Sequence, residues 1–135
     1  MKAGGPQDGS GEARRKHSLG KAGESVARRY LEANGYRIIE TNYRRRGGEV
    51  DIVAFKDRTL VFCEVKTRIG AGDAVESYSE TQQRRMVRVS QLFLLDRAER
   101  LPKVFDLRYD LIVIGEGEDG ILEVKEHMAD AFRPA

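Results

Sequence analysis

Three side chains near the middle of the chain have the types and spacing that metal-assisted hydrolysis requires. Asp51 is followed, after twelve intervening residues, by Glu64, and Lys66 stands two positions further on. Residues two apart on a β-strand point to the same side, so Glu64 and Lys66 would act on one volume of space. Carboxylates bind hard divalent cations, and a lysine stabilises negative charge on a reacting group. The pattern therefore favours hydrolysis of a phosphodiester with Mg²⁺ or Mn²⁺.

A hairpin would bring the two acids together. The segments on either side of the polar turn 56–59 have the composition of β-strands. A loop of two or four residues centred on this turn pairs Asp51 with Glu64 and Glu49 with Lys66. A loop of three or five residues would shift the register by one, so the pairing depends on the turn.

The alternation of side chains supports a buried hairpin with one polar end. One predicted face is wholly apolar, and it consists of Val50, Ile52, Ala54, Val61, Cys63 and Val65. The other face is apolar near the turn and carries its charges at the far end: Glu49, Asp51, Glu64 and Lys66. Strands that are apolar on both faces are usually central in a sheet and covered by helices.

Two carboxylates opposed in such a hairpin are unfavourable without a partner. Opposed strand residues place their Cβ atoms ~4.5–5.5 Å apart, where like charges repel. A divalent cation, or a proton on one carboxyl group, would relieve the repulsion between Asp51 and Glu64. The backbone carbonyl of Val65 offers a third oxygen ligand. The alternative is a surface hairpin with a Glu49–Lys66 ion pair, which does not explain two opposed acids in an apolar hairpin.

The remaining segments predict the elements that hold this hairpin. We expect a disordered tail over 1–17, one domain over 18–128 and a C-terminal tail over 129–135. The predicted elements are a helix over 19–34, strands over 36–43, 49–55 and 60–67, a helix from about 80 to 99, a long strand over 104–114 and a last strand over 121–125. This order indicates an α/β fold, a mixed β-sheet flanked by helices.

Composition and charge narrow the class of protein. The single cysteine, Cys63, cannot form an internal disulfide, and no run of about 18 apolar residues or secretory signal is present. We therefore expect a cytoplasmic protein with no membrane segment. Residues 14–46 carry ten Lys or Arg against three Glu, whereas residues 96–135 carry six basic against ten acidic side chains. This asymmetry favours a polyanionic partner, although a solvated helix face and a basic tail would give the same count.

Several segments resemble a known family. Asp51 and Glu64-Val65-Lys66 are similar to the PD-(D/E)xK nuclease motif. The surrounding residues closely resemble the YraN-like family of uncharacterised bacterial proteins over roughly residues 18–115. The segments are Gly20-Lys21-Ala22-Gly23-Glu24, Asn42-Tyr43-Arg44, Gly48-Glu49-Val50-Asp51, Phe62-Cys63-Glu64-Val65-Lys66-Thr67-Arg68, Gln83-Arg84-Arg85 and Arg108-Tyr109-Asp110.

The resemblance implies a restriction-endonuclease-like fold, similar to that of Holliday-junction resolvases. In those enzymes a helix glutamate joins the strand acids, so the resemblance implies a supporting or metal-binding role for Glu24. The alternative is an exposed Glu24 paired with Arg28 one helical turn away. Two positions depart from the pattern. Val50 replaces the motif's proline, as in many members of the superfamily, and Gln82 stands where relatives often have lysine.

Five arginines are candidates for contact with nucleic-acid phosphates. They are Arg44, Arg45 and Arg46 in the basic turn before the second strand, and Arg84 and Arg85 on the second helix. Such contacts would position a nucleic acid without reading its sequence. A solvated turn and the wet face of a helix are the alternatives.

These observations lead to three hypotheses for function. The first is a Mg²⁺- or Mn²⁺-dependent endonuclease acting on DNA, including branched or damaged DNA. Asp51, Glu64, Val65 and Glu24 would then bind the metal, Lys66 would assist the water, and Glu49 would support the site. The second is a nucleic-acid-binding module that has lost efficient cleavage, and the third is a protein-interaction subunit. A homodimer is compatible with either nucleic-acid role.

Overall fold

The computed structural model describes residues 5–70 and 78–134, and a single five-stranded sheet forms its centre. The strands are β1 (Arg37–Arg45), β2 (Gly48–Lys56), β3 (Thr59–Thr67), β4 (Asp106–Glu116) and β5 (Leu122–Met128), and they lie in that order across the sheet. All neighbouring strands are antiparallel except β3 and β4, which are parallel. The predicted α/β fold with a mixed sheet, of the restriction-endonuclease-like type, is confirmed.

Two helices flank the sheet, α1 (Gly5–Ala33) and α2 (Glu80–Asp96), and a short 3₁₀ helix, Ala98–Arg100, follows α2. The predicted capping box begins α2, because the Ser79 hydroxyl accepts from the Gln82 backbone N–H at 3.1 Å. In return the Gln82 side-chain oxygen accepts from the Ser79 N–H at 2.9 Å. Helix α1 ends at Ala33, and Gly35 follows it with a φ of 88°, the left-handed conformation that glycine adopts without strain.

The β2–β3 hairpin closes through a two-residue turn, as expected. Asp57 and Arg58 both adopt positive φ, 50° and 64°, which is the geometry of a type I′ turn. The ladder runs from the Lys56–Thr59 pair to the Ile52–Cys63 pair, and this is the register in which Asp51 comes opposite Glu64. The predicted register is therefore confirmed as far as the Ile52–Cys63 pair, whereas the predicted pairs Asp51–Glu64 and Glu49–Lys66 lie beyond the end of the ladder.

Each face of the sheet is covered by one helix. Since β3 and β4 are parallel, the chain must cross over between them, and α2 makes this crossover. Under α1 the buried cluster is Ala27, Leu31, Ile52, Ala54, Val61, Cys63, Ile112 and Ile114. Under α2 it is Tyr43, Val50, Val53, Leu60, Phe62, Met86, Val89, Phe93 and Tyr109. Burial from both sides explains why β2 and β3 are apolar on both faces.

Helix α1 differs from the prediction at its start. It begins at Gly5, so residues 5–17, expected as a disordered tail, are helical. No apolar periodicity marks this part of the helix, because residues 12–18 are exposed and need no apolar stripe. Although α1 has 29 residues, no helix in the described parts of the chain is apolar enough to span a membrane.

Two glycines of α1 provide a test of how the helix is seated. A Cβ at Gly23 would lie 1.9 Å from the Thr67 hydroxyl oxygen, whereas a Cβ at Gly20 would have no heavy atom within 4 Å. Gly23→Ala should lower the free energy of unfolding by about 1–3 kcal/mol through overpacking. Gly20→Ala should raise it by up to about 1 kcal/mol, because alanine favours the helix. Urea unfolding of both variants measures the two effects, and a stabilised Gly23→Ala protein would contradict this seating of α1 on β3.

Candidate active site

The candidate site lies where β2 and β3 separate. Their shared ladder ends at the Ile52–Cys63 pair. Beyond it, β2 remains paired with β1 as far as Gly48, and β3 remains paired with β4 as far as Thr67. The two strands that carry the predicted acids thus form a fork, held open because each has a different partner on its outer side.

Asp51 occupies the fork. Its Oδ2 atom accepts a hydrogen bond of 2.7 Å from the backbone N–H of Val65, in place of a bond from the β2 backbone. Val50 belongs to the cluster under α2 and Ile52 to the cluster under α1, so the alternation of β2 breaks at Asp51. The expectation that Val50 shares a face with Ile52 was wrong. On β1, Asn42 lies between the partners of Val50 and Ile52 and has a φ of 54°, a conformation that interrupts a regular strand.

A cleft of about 210 Å³ opens beside the fork. Three predicted acids line it, Glu49, Asp51 and Glu64, together with Gly48 from the start of β2 and Gln82, Arg85 and Met86 from α2. The first turns of α2 therefore form one wall, and the diverging strands form the other. The cleft is small, open and largely polar in its lining residues.

Burial raises the pKa values of the two central carboxyl groups, those of Asp51 and Glu64. Asp51 is only 8% exposed, and this burial, followed by repulsion from Glu64, raises the pKa of Asp51 to about 8, although the Val65 N–H opposes the rise. Burial also raises the pKa of Glu64, against the favourable charge of Lys66. The pair thus holds a proton readily at neutral pH, and a bound cation would compete for the same place.

Lys66 is 5% exposed and contacts the first turn of α2 beside the cleft. Its ammonium group donates to the Gln82 side-chain oxygen at 3.4 Å, and it lies 5.7 Å from the centre of the Tyr78 ring. The same Gln82 oxygen belongs to the capping box of α2. The beginning of this helix therefore positions the lysine, and Gln82 is a site residue whose contact with Lys66 the sequence did not reveal.

The two outer glutamates have other partners. Glu49 accepts from the Arg44 guanidinium at 2.9 Å, so the Glu49–Lys66 ion pair considered from the sequence is not formed. The Asn42 side chain hydrogen-bonds to Glu24, whose pKa is raised by burial and, less strongly, by Glu49. Glu24 therefore lies beside Glu49 at the margin of the site, on α1. The alternative pairing of Glu24 with Arg28 is not formed, since Arg28 lies 3.8 Å from Glu32.

The five candidate arginines fall into two groups. Three have acidic partners: Arg44 contacts Glu49, Arg45 contacts Asp96 and Arg84 lies 3.7 Å from Glu80. Arg46 is exposed in the turn between β1 and β2, and Arg85 lines the cleft itself. Arg85 is thus the candidate that the structure brings to the acids.

Sequence reasoning missed Tyr78. Its hydroxyl oxygen is buried and has no hydrogen-bond partner among the described residues, and its pKa is raised by burial and by the nearby Glu64. Phe132, from the segment after β5, packs edge-on against this ring with centroids 5.3 Å apart and stacks on Tyr109. No local pattern marks either residue, because both contacts join distant parts of the chain.

A second polar network lies under α1, apart from the fork. Asp110 is fully buried and accepts from Arg108, from the backbone of Asp130 and from His127 at 2.7 Å. The other ring nitrogen of His127 is 2.9 Å from the Tyr30 hydroxyl. All of these groups are paired, so the network joins α1, β4 and β5 and stabilises the fold.

The donor groups of the fork fit a hard divalent cation that retains several waters. Within the described ranges, no three Asp, Glu, His or Cys side chains are grouped closely enough to hold a metal ion, so Glu24 does not join both strand acids in a preformed set. Two carboxylates and a backbone carbonyl remain, from Asp51, Glu64 and Val65. Mg²⁺ commonly binds through one or two carboxylates and water. Because the pKa values of both acids are raised, a proton would compete with such an ion for this place.

Comparison with known proteins gives a family but no activity. The model of the family described as "Uncharacterised protein family UPF0102" matches residues 23–114. A UPF0102 protein of Chlorobium limicola is 43% identical over 122 residues, covering 86% of this chain and 92% of the relative. One from Prosthecochloris aestuarii is 42% identical over 123 residues, covering 86% and 94%. One from Azorhizobium caulinodans is 40% identical over 116 residues, covering 86% and 83%. The resemblance to the YraN-like family is confirmed, and the matched range includes the whole fork.

The raised pKa of Asp51 leads to a prediction about the free energy of unfolding, measured in EDTA so that no metal ion is bound. In the unfolded chain this carboxyl titrates at about 3.9, whereas in the folded protein its pKa is about 8. The folded state therefore binds more protons between these values, and the free energy of unfolding falls as pH rises from about 4 to about 8. Asp51→Asn should remove this loss and stabilise the protein at about pH 8 by at least ~1 kcal/mol.

Urea unfolding at about pH 5 and about pH 8 measures the effect. Glu123→Gln, on the exposed face of β5, is the control and should leave the pH dependence unchanged. A destabilised Asp51→Asn protein at the higher pH would contradict the repulsion between the two acids.

Tyr78→Phe makes an independent prediction. It removes a buried hydroxyl group that has no partner within residues 5–70 and 78–134, so it should leave the free energy of unfolding unchanged or raise it by about 1 kcal/mol. Tyr109→Phe is the matched control, because the Tyr109 hydroxyl lies 2.7 Å from the Ser90 hydroxyl, and it should destabilise by about 1 kcal/mol. Equal losses in both variants would show that the Tyr78 hydroxyl is paired in the protein.

Proposed function

The chain belongs to the UPF0102 family, and from the geometry of its site we propose that it is a Mg²⁺- or Mn²⁺-dependent endonuclease that hydrolyses DNA phosphodiester bonds. The observation that carries the proposal is the fork, where buried Asp51 and half-buried Glu64 face one cleft, and buried Lys66 lies beside it in contact with Gln82. A purely structural sheet gains nothing from this arrangement, since burying an unpaired charge is costly.

Asp51 and Glu64 would hold the ion, with the carbonyl of Val65 as a further ligand. When bound, the metal would polarise the phosphate and lower the pKa of a coordinated water. The hydrogen bond from the Val65 N–H fixes one Asp51 oxygen, so this carboxylate is oriented before an ion arrives. Such preorganisation lowers the cost of binding.

Lys66 would act on the substrate rather than on the acids. Its ammonium group is held by Gln82 and by the Tyr78 ring, on the side of the cleft formed by α2. From there it can donate to a phosphate oxygen that gains negative charge in the transition state, or orient the attacking water. Glu49 and Glu24 would support the site by keeping Arg44 and Asn42 in place.

A DNA partner is supported by the charges near the cleft. Arg85 lines it, and Arg46 is exposed in the adjacent turn. Arg44, Arg45 and Arg84 contact acids in the free protein and would exchange these partners for phosphates at some cost. Contacts with phosphates position DNA without selecting a sequence. They therefore suit a substrate that is recognised by its shape, such as branched or damaged DNA. A two-fold homodimer would allow both strands to be cut.

A second candidate is a nucleic-acid-binding module with weak or no cleavage. Gln82 favours it, because this neutral residue is hydrogen-bonded to Lys66 where relatives often have a lysine. A charged residue lost from the cleft would weaken the hold on a phosphate. The two candidates share the partner and differ only in the chemical step.

Cleavage assays separate the candidates. Linear, flapped and four-way DNA would be incubated with the protein in Mg²⁺, Mn²⁺ or EDTA. We expect cleavage with either metal and none in EDTA, and a loss of at least about 100-fold in rate in Asp51→Asn and Lys66→Met. Glu123→Gln on β5 should cleave as the wild type does. Cleavage that persists in EDTA or in Asp51→Asn would contradict the proposed site.

Thermal unfolding provides a readout that does not depend on catalysis. Mg²⁺ should raise the Tm of the wild-type protein and of Lys66→Met, but not that of Asp51→Asn, because only the last lacks a metal ligand. Salt-sensitive DNA binding without cleavage under any condition would support the binding module. Absence of binding to DNA and RNA would leave a role in protein interaction.

A further inference from the structure

The first part of α1 projects beyond the sheet at the end that carries the fork. Gly23 lies against Thr67, the last residue of β3, and the helix covers the sheet from there towards its own end at Ala33. Residues 5–22, which we call the arm, therefore extend past the strand that carries Lys66. At 1.5 Å per residue, these 18 residues span about 27 Å.

No described side chain of the arm, over residues 11–22, belongs to either buried cluster. Residues 12–18 are exposed around the whole circumference of the helix. A helix that is polar on every side is not held by apolar packing. The described side chains of the arm form one ion pair, between Arg15 and Glu12 at 2.9 Å, and both groups are well exposed. Contacts among the described side chains therefore do not explain the composition of this segment.

The arm is rich in basic residues, and two of them lie on the side of the helix that leads towards the site. The arm carries four Lys or Arg, namely Arg14, Arg15, Lys16 and Lys21, against the two acids Asp8 and Glu12. Arg14 and Lys21 are seven residues apart, which places them on the same side of the helix, about 10 Å apart along its axis. Lys21 is one turn before Glu24, close enough for their charges to interact. A line of positive charge therefore leads from the arm towards the margin of the site.

We propose that the arm binds the phosphate backbone of duplex DNA that leads into the cleft. The proposal rests on the DNA partner of the proposed function, but it does not require cleavage. Phosphates along a DNA strand recur at intervals that Arg14 and Lys21 can match with their long side chains. The span of about 27 Å corresponds to roughly eight base pairs at about 3.4 Å each. The arm would thus add contacts to the flanking duplex, while Arg85 and Lys66 act at the cleft.

The test compares two variants that each lose three positive charges. Arg14→Gln/Lys16→Gln/Lys21→Gln removes charge from the arm, and glutamine preserves helix propensity. Arg37→Gln/Arg58→Gln/Lys103→Gln is the control, since these exposed residues lie at the opposite end of the sheet, near the β2–β3 turn. Both variants have the same net charge, so any difference reports the position of the charges.

Binding of a fluorescent duplex of about 30 base pairs would be measured in EDTA across a range of salt concentrations. The arm variant should bind about tenfold or more weakly at about 0.1 M salt, and its plot of log K against log salt should be shallower by about 2–3. The control should match the wild type within about twofold. An unchanged slope in the arm variant, or an equal loss in the control, would overturn the proposal.

The same experiment keeps the two proposals apart. EDTA removes the metal ion and so prevents cleavage, and the assay therefore measures DNA binding alone. If the arm variant loses affinity while the wild-type protein cuts no DNA in Mg²⁺, the endonuclease is contradicted and the arm is supported. If the wild-type protein cuts DNA and the arm variant binds and cuts as well as it does, the arm is overturned and the endonuclease is supported.

Discussion

Two carboxyl groups, those of buried Asp51 and half-buried Glu64, lie together at the point where two strands diverge, and desolvation disfavours the charge of each. Without a cation the pair retains protons at a pH where exposed acids are ionised. Repulsion in a site of low polarity costs far more than at a surface. The backbone N–H of Val65 offsets only part of this cost for Asp51, so the pair is best satisfied by a positive ion.

The rest of the sheet holds this unfavourable arrangement in place. β2 is bound to β1 and β3 to β4, and apolar side chains under both helices anchor the strands. The acids therefore cannot relax by moving apart without breaking a ladder. Helix α2 supplies the opposite wall, where Gln82 and Tyr78 hold Lys66. The fold thus places three acids and Arg85 around a cleft, with Lys66 beside it, and neither strand could form this arrangement alone.

Local features were the most predictable from the sequence. The β2–β3 register, the Ser79–Gln82 capping box and the left-handed Gly35 depend on residues that are neighbours along the chain, so their patterns could be interpreted directly. The proximity of Asp51 and Glu64 followed from that register, although the ladder ends one pair before them. The family resemblance implied a supporting or metal-binding role for Glu24. The structure places this residue near Glu49 and not, among the described residues, in a three-acid cluster.

Features that depend on distant contacts were not predictable. The break in alternation at Asp51 arises because β2 leaves β3 while remaining on β1, which no periodic pattern encodes. Tyr78 meets Lys66 and Phe132 only through the fold, and His127 has its partners on β4 and α1. Residues 5–17 form a helix where a disordered tail was predicted, because an exposed helix lacks the apolar stripe by which helices are recognised.

We propose that the fork between β2 and β3 binds a divalent cation. Crystals of the protein grown with Mn²⁺ and measured near the manganese absorption edge would reveal such an ion. We expect an anomalous peak between the carboxylates of Asp51 and Glu64, within about 2.5 Å of an oxygen atom from each. Ordered side chains with no peak between them, or with the carboxylates directed to opposite faces of the sheet, would contradict it.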